Sequence, residues 1–392
     1  MRYAMVAVLA GLGVAMAAPV AAQELKVGGQ IRPRTEMRDA SGSSDALTSM
    51  RTRVDLSARL APRLRAFVQL QDVRIWGQEA STLSGGDQID LHQGYLDVGP
   101  EADGVSARVG RQEVSYGEER LMGAADWVQQ ARALDGVRLR GRTGALTADV
   151  FGFQLADAGA PGKSADERFL GAYSTLAAGP AGAVDLYLLH DRAGGAEPTR
   201  QSTLGARWAG ARGALSYRAE GALQTGTRTG ADVRAYMATA RIGAALAGGK
   251  AQVALWYDHL SGDADSTDAT TRVFDTVLAT NHRFYGSADL FTNIPVHTGG
   301  RGLRDVALRT SYAPREELSL GLDVHAFRAA AARGQGSGRF GEEADLSATY
   351  RYSPRFAVTG GVSGVVAGPA LKALGTVRRN QTFSYLMLNA TF

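Results

Sequence analysis

The sequence predicts an all-β fold: a transmembrane antiparallel up-and-down β-barrel of about 18 strands, with long extracellular loops and short periplasmic turns. Three observations carry this expectation. From Leu25 onward apolar and polar residues alternate with a period of two, in runs of about 9–11 residues, the length a tilted membrane strand needs. The connections also alternate: short turns follow even-numbered strands, and the longer loops follow odd ones. Finally, beyond the N-terminus there is no apolar run of about 18 residues, which excludes a helical span.

Residues 1–22 read as a secretory signal peptide. Arg2 supplies the positive start, Ala4 to Ala18 the apolar core, and Val20-Ala21-Ala22 the small-residue cleavage site, with the cut after Ala22. The barrel is expected to occupy residues 23–392, in the bacterial outer membrane. In its first strand Leu25, Val27, Gly29 and Ile31 take one face, and Lys26, Gln30, Arg32, Arg34 and Glu36 the other. The second strand sets Met50, Thr52, Val54, Leu56, Ala58 and Leu60 against Arg51, Arg53, Asp55, Ser57 and Arg59. Short turns are expected at Ala61-Pro62-Arg63, Ala211-Arg212-Gly213, Pro314 to Glu317 and Ser353-Pro354-Arg355. Longer loops are expected at Arg38 to Ser49, Gly77 to Asp87, Ala156 to Glu167, Ala193 to Ser202, Ala264 to Gly302, Ala330 to Glu343 and Gly368 to Gln381. A soluble sandwich has no reason to keep this parity; an outer-membrane barrel does.

Later strands hold the same phase. Leu215, Tyr217, Ala219 and Leu223 oppose Ser216, Arg218, Glu220 and Gln224; Val306, Leu308, Thr310 and Tyr312 oppose Asp305, Arg309 and Ser311. Tyr and Trp fall near strand ends, as interfacial girdles require. The last strand, Thr382 to Phe392, is amphipathic and ends on an aromatic residue. Such a strand resembles the C-terminal signature of outer-membrane barrels, and implies the barrel-assembly machinery as a partner through Phe392. Membrane lipid and lipopolysaccharide are the other surroundings to expect.

Composition narrows the function. The chain has no cysteine, so its stability must come from something other than disulfides, and a closed sheet is one source. Its net charge is only +4, and no Lys/Arg-dense run carries interleaved aromatics, which argues against nucleic acid. Its basic residues are almost all arginine, the side chain that grips carboxylate or phosphate bidentately.

The most unusual stretch is Gly110 to Arg140. Arg111, Glu113, Glu118, Glu119, Arg120, Arg132, Asp135, Arg138 and Arg140 crowd what reads as two strands and a loop. Packing so many charges in a dry interior is costly, whereas a water-filled lumen accommodates them.

The same stretch resembles the central motif of the alginate-export family of outer-membrane porins. The matching residues are Gly110-Arg111-Gln112-Glu113, Tyr116-Gly117-Glu118, Arg120-Leu121, Asp126-Trp127, Arg132 and Asp135-Gly136. A second block is similar as well: Ser261-Gly262-Asp263, Thr280 to Gly286, and Asp289-Leu290-Phe291. The resemblance implies a barrel over essentially the whole chain after the signal peptide, and passive passage of an anionic polysaccharide or oligosaccharide through an arginine-lined pore. Gly-rich phosphate loops and paired zinc ligands are absent from the sequence, so no cofactor and no metal are expected. An uptake porin for small organic or sugar acids is the alternative reading.

The alternation itself points Arg32, Arg34, Arg51, Arg53, Arg138, Arg140, Arg218 and Arg309 into the lumen. Rings of arginine favour anions; the competing view is a set of salt bridges that stiffen the wall. The two motif blocks fall in the loops after strands five and thirteen. If those loops fold inward, Arg111, Glu113, Arg120, Trp127, Arg132, Asp135, His282, Arg283, Tyr285 and Asp289 become pore-lining or constriction candidates. They could equally form a packed plug. Other chemistry is weaker: His259 and Ser261 suggest a dyad without an orienting third group, and Asp263, Asp265 and Asp268 lack the glycine and glutamate of a calcium loop.

Overall fold

A computed structural model describes residues 24–40, 43–79, 89–100, 102–332, 337–375, 377 and 379–392. The expected signal peptide and its cut after Ala22 lie outside the described residues, as does most of the expected Gly77–Asp87 loop. Among the described residues the regular secondary structure is almost entirely strand. In order these are β1 (Leu25–Ala40), β2 (Ser43–Ala61), β3 (Leu64–Ile75), β4 (Asp90–Val98), β5 (Gly104–Gln112) and β6 (Leu134–Thr143). Then come β7 (Leu146–Ala156), β8 (Glu167–Ala177), β9 (Ala183–Ala193), β10 (Thr199–Arg212), β11 (Leu215–Arg228), β12 (Ala231–Leu246) and β13 (Ala251–Leu260). The last are β14 (Thr270–Thr271), β15 (Leu303–Arg315), β16 (Leu318–Arg328), β17 (Arg339–Ser353), β18 (Phe356–Ala367) and β19 (Gln381–Thr391). Two short helices, α1 (Ile294–His297) and α2 (Pro369–Ala373), lie in the loops.

Every barrel strand pairs antiparallel with its chain neighbours, and β1 pairs β19, closing the sheet. The two-residue β14 sits in a loop and pairs parallel with the start of β12, so the wall itself has 18 strands. Closure removes the edges that would otherwise expose unpaired backbone to lipid. At the seam Gly29 and Phe392 exchange backbone hydrogen bonds of 3.2 Å each way.

The faces fall as the alternation requires. Leu204, Leu215, Leu223, Ile242 and Leu346 are among the large exposed apolar residues, each over half exposed. On the opposite face Arg32, Arg51, Arg53, Arg218, Asp149 and Asp185 are buried. Trp208 and Tyr217 pair on the outer wall near the turn end, with ring centroids 4.6 Å apart, as a girdle requires.

Connection parity also holds. Counting wall strands alone, without β14, the chain turns at once after even ones: β2 ends at Ala61 and β3 begins at Leu64, and likewise Arg212 to Leu215, Arg315 to Leu318 and Ser353 to Phe356. The long loops follow β5 and β13. Some expected loops are shorter than the sequence suggested, because the ladder continues past the apolar band. Arg38 pairs with Asp45 and Asp39 with Ser44, so most of the expected Arg38–Ser49 loop is strand. The loop expected at Ala193–Ser202 likewise shrinks, since β10 starts at Thr199, and β17 starts at Arg339 inside the expected Ala330–Glu343 loop.

One expectation is corrected outright. The lumen is not water-filled throughout. In its loop-end half an apolar core packs Phe153, Phe169, Leu260, Leu303, Phe327, Phe340 and Phe383 of the wall against Phe274, Phe284, Phe291 and Ile294 of the loop after β13. Burying this much aromatic surface is the main force holding the loops inside.

Candidate functional site

Two loops cross the lumen: loop A, residues 113–133 between β5 and β6, and loop B, residues 261–302 between β13 and β15. They meet in a short ladder. Gly123 N donates to Leu278 O (2.9 Å), Leu278 N to Leu121 O (3.1 Å), and Thr280 N to Glu119 O (2.9 Å). A Cβ on Gly123 would collide with Thr280 Oγ1 and Glu119, so only glycine permits this approach. Arg132 spans the junction from the side, donating to the carbonyls of Gly123 (3.0 Å), Leu278 and Ala279. Trp127 of loop A stacks on His282 of loop B with ring centroids 4.0 Å apart, and Asp289 holds His282 Nδ1 at 2.7 Å.

Charged pairs tie the crossing to the wall at three places. Beside β1 and β2, Asp126 receives Arg32 (3.0 Å) and Arg51 (2.8 Å), with Arg53 3.9 Å away. Arg34 donates to Trp127 O (2.6 Å) and lies over its ring at 4.2 Å, while Tyr385 of β19 meets the same ring edge-on at 5.0 Å. Glu113 joins this cluster through Arg53 (3.3 Å) and His92 (2.7 Å).

Across the lumen, Arg120 is buried at 1% exposure. It donates to Asp258 of β13 (2.6 Å) and to the Tyr285 hydroxyl (3.1 Å), with Glu220 at 3.8 Å and its guanidinium over Phe284 at 3.9 Å. Next to it Glu118 is surrounded by Arg207 (3.6 Å), Arg218 and Arg241 (3.5 Å). The third anchor is on β17, where Glu343 and Asp345 accept from Ala288 N (2.7 Å) and Ser287 N (3.2 Å) of loop B. Gly286 has φ +82°, and a Cβ there would strike the Glu343 carboxyl.

Electrostatics at the first anchor set a pH dependence. Burial alone would raise the Asp126 carboxyl, yet the Arg51 and Arg32 guanidiniums beside it pull it below the usual carboxylate range. A depressed folded pKa gives stabilisation that is complete above the unfolded value of about 3.9 and is lost as pH falls through the folded value. Loop A is therefore expected to hold from neutral pH down to mild acid and to loosen only in strong acid. Conductance recorded against pH checks this: a rise is expected only below about pH 4, and Asp126→Asn is expected to be loosened already at neutral pH. A wild-type rise near pH 6 would assign the transition to another group.

A second site lies at the turn end. Around the turns after β2, β4 and β6, a pocket of about 310 Å³ is lined by Arg59, Arg63, Arg65, Arg108, Arg138, Arg140 and Arg142, and Asp97 is the one acidic residue among its lining. Asp97 binds Arg108 (2.7 Å) and Arg65 (2.5 Å), and Arg140 is held by Asp149 at 2.6 Å. Neither the Arg63 nor the Arg138 guanidinium has a carboxylate partner among the described residues. A further cavity of about 410 Å³ near the turn end includes Trp256, Arg241, Arg309 and Asp323. Three guanidiniums stand around Trp256: Arg309 at 4.3 Å, Arg218 at 5.0 Å and Arg241 at 5.2 Å.

The structure thus gathers most residues singled out from sequence, in separate groups. Arg32, Arg34, Arg51, Arg53, Glu113 and Trp127 form the first anchor. Arg120, Tyr285 and Arg218 form the second, Arg132, His282 and Asp289 the junction, and Arg138 and Arg140 the turn-end pocket. Arg309 bridges Asp323 (3.0 Å) and the Arg283 carbonyl (3.0 Å). One expectation fails. Arg111 and Asp135 pair at 2.7 Å on the outer face, in phase with exposed Val109 and Val137, so they do not line the lumen. The weakly suggested His259–Ser261 dyad is not formed: His259 faces outward and stacks on Tyr236, while the Ser261 hydroxyl donates to the Arg272 carbonyl. Sequence reasoning missed Asp126, Glu118 and Asp258 as anchors, although Asp126 and Glu118 stand within the quoted motif.

The model for the family described as alginate export matches residues 23–384. The chain belongs to the alginate-export family. Its fold is also that of outer-membrane porins. The crystal structure of Pseudomonas aeruginosa OccK5 (OpdH) is similar at a TM-score of 0.65 with 14% identity, covering 94% of this chain and 98% of that one. Acinetobacter baumannii OccAB4 is similar at 0.64 and 10%, with the same coverages. Pseudomonas aeruginosa OpdK, solved with vanillate, is similar at 0.62 and 13%, again over 94% and 98%. No curated sequence matches the chain. This alginate-export family member is an outer-membrane channel, its turn end periplasmic and its loop end extracellular.

Proposed function

We propose that the channel is anion-selective and passes small organic or sugar acids. The periplasmic pocket carries this reading: Asp97 takes Arg65 and Arg108, Asp149 takes Arg140, and the Arg63 and Arg138 guanidiniums have no carboxylate partner among the described residues. Such a surplus in a confined mouth raises the local anion concentration. A volume of about 310 Å³ lies at the small end of ligand pockets, which suits a monosaccharide acid or a small carboxylate better than a polymer. The packed loop crossing supports the same view, because a polysaccharide would need loops A and B to withdraw. A carboxylate ligand in a solved neighbour, OpdK with vanillate, is consistent with it.

The second reading is an anionic oligosaccharide, and one observation favours it. The arginines of the pocket sit on three of the neighbouring strands β3 to β6, Arg65 on β3, Arg108 on β5 and Arg138 and Arg140 on β6, so they can engage several carboxylates of one chain. Planar-bilayer recording of the refolded protein separates these readings. Anion-selective reversal potentials with block by small carboxylates are expected. Block by oligouronates alone would favour the second reading, and cation selectivity would remove both.

A further inference from the structure

The outer wall carries a charged row that the channel does not use. At the extracellular ends of β8, β9 and β10, Arg168 lies directly opposite Arg192, and Arg192 directly opposite Arg200. All three are exposed. Their direction is fixed by neighbours in the same phase, Leu170, Leu188 and Leu204, which are 45%, 50% and 61% exposed, whereas inward-phase Phe169 and Leu189 are buried. The three guanidiniums therefore stand on the outside of the barrel, at the upper border of its apolar band.

Side chains directly opposite on adjacent strands are about 4.5–5.5 Å apart, and like charges in that relation repel. The chain relieves this only in part. Arg168 reaches Asp166 at 3.3 Å and Gln154 at 3.0 Å. The Arg192 and Arg200 guanidiniums have no partner among the described residues. Asp232 of β12 is one strand too far, since Thr227 of β11 stands between it and Arg200. A repelling row at a membrane boundary is stable when an anion from outside the chain sits across it.

We propose that Arg168, Arg192 and Arg200 clamp the phosphate of a phosphorylated glycolipid in the outer leaflet. The surroundings choose a lipid over a free anion. The row lies on a convex wall rather than in a cavity, and directly beneath it the exposed leucines offer a surface for acyl chains. A phosphate fixed above acyl chains meets both halves of the site at once. Arginine is suited to the task, because its planar fork binds phosphate oxygens bidentately and its stem spans the interface. A related pair, Arg304 opposite Arg328, stands at the same height on β15 and β16, and Arg304 is steadied by the Ala330 carbonyl at 2.9 Å.

The test is native mass spectrometry of the refolded full chain titrated with bis-phosphorylated lipid A and, separately, with lipid A stripped of phosphate. The phosphorylated form is expected to bind at least about tenfold more tightly, given the attraction that anionic lipid headgroups exert on each basic residue. The triple variant Arg168→Gln, Arg192→Gln, Arg200→Gln is expected to lose that preference while its single-channel conductance stays at the wild-type value. Equal binding of the two lipids by the wild type overturns the proposal, as does an undiminished preference in the triple variant. Displacement of the lipid by millimolar inorganic phosphate would also overturn it, by assigning the row to a soluble anion. If the triple variant does not fold, Arg192→Glu is held to the same criteria.

Discussion

Arg120→Ala is expected to raise single-channel conductance several-fold while the barrel remains closed. Arg120 is the one cation that loop A inserts between Asp258 and Glu220, both nearly inaccessible to solvent. Removing it leaves two carboxylates buried without their partner, a penalty of about 3–5 kcal/mol for a broken buried pair. It also strips the Tyr285 hydroxyl of its donor and Phe284 of the guanidinium above it. The strand ladders do not depend on this residue, so the cost falls on the loops, whose outward swing relieves it by admitting water. Arg120→Lys keeps the charge but loses the planar stack, and an intermediate conductance is expected. Unchanged conductance in the alanine variant would mean that apolar packing alone holds the crossing.

The second large effect is expected at the periplasmic mouth. Replacing Arg63, Arg138 and Arg142 by glutamine should lower the anion-over-cation permeability ratio by about tenfold, the lower end of what a charged cleft contributes to local ion concentration. These three leave the Asp97 pairs with Arg65 and Arg108, and the Asp149 pair with Arg140, in place. Reversal potentials across a salt gradient measure the ratio directly. High salt should erase the difference between variant and wild type, because exposed charges are screened within about 3 Å at 1 M. A ratio that does not move would place the selectivity step at the loop crossing.

Much of this was legible in the sequence, for a definite reason. One face of every strand meets lipid, so the code has a period of two and can be read locally: Leu215, Tyr217 and Ala219 outside, Arg218 and Glu220 inside. Parity of the connections was legible for the same reason, since each strand begins on the side where the previous one ended. The partners inside the lumen were not. Asp126 meets Arg32 and Arg51, and Arg120 meets Asp258, across distances along the chain that no local pattern encodes. Nor does composition distinguish a hydrated arginine from one sealed beneath a loop. Arg111 and Asp135 are a different case. A shared motif groups them with Arg138 and Arg140, although counting two residues on from Val109 and two back from Val137 puts them on the lipid side.

The join between β1 and β19 brings residues near the two ends of the chain together, Gln30 with Thr391 and Ile31 with Ala390. The β1–β19 ladder holds this join. Here it is also stitched from within: Trp127 is gripped by Arg34 on one side of the join and touched by Tyr385 on the other, and Arg38 reaches both the Ala288 carbonyl and the Phe383 ring. The obstruction in the channel is thus also a rivet for its wall. A passage event that displaced the Trp127 side of the crossing would weaken the cylinder at its one non-consecutive joint. Displacing the Arg120 side, which leans on β11 and β13 instead, would not. The molecule can therefore admit a solute past one flank of its own blockage while the other keeps the wall shut.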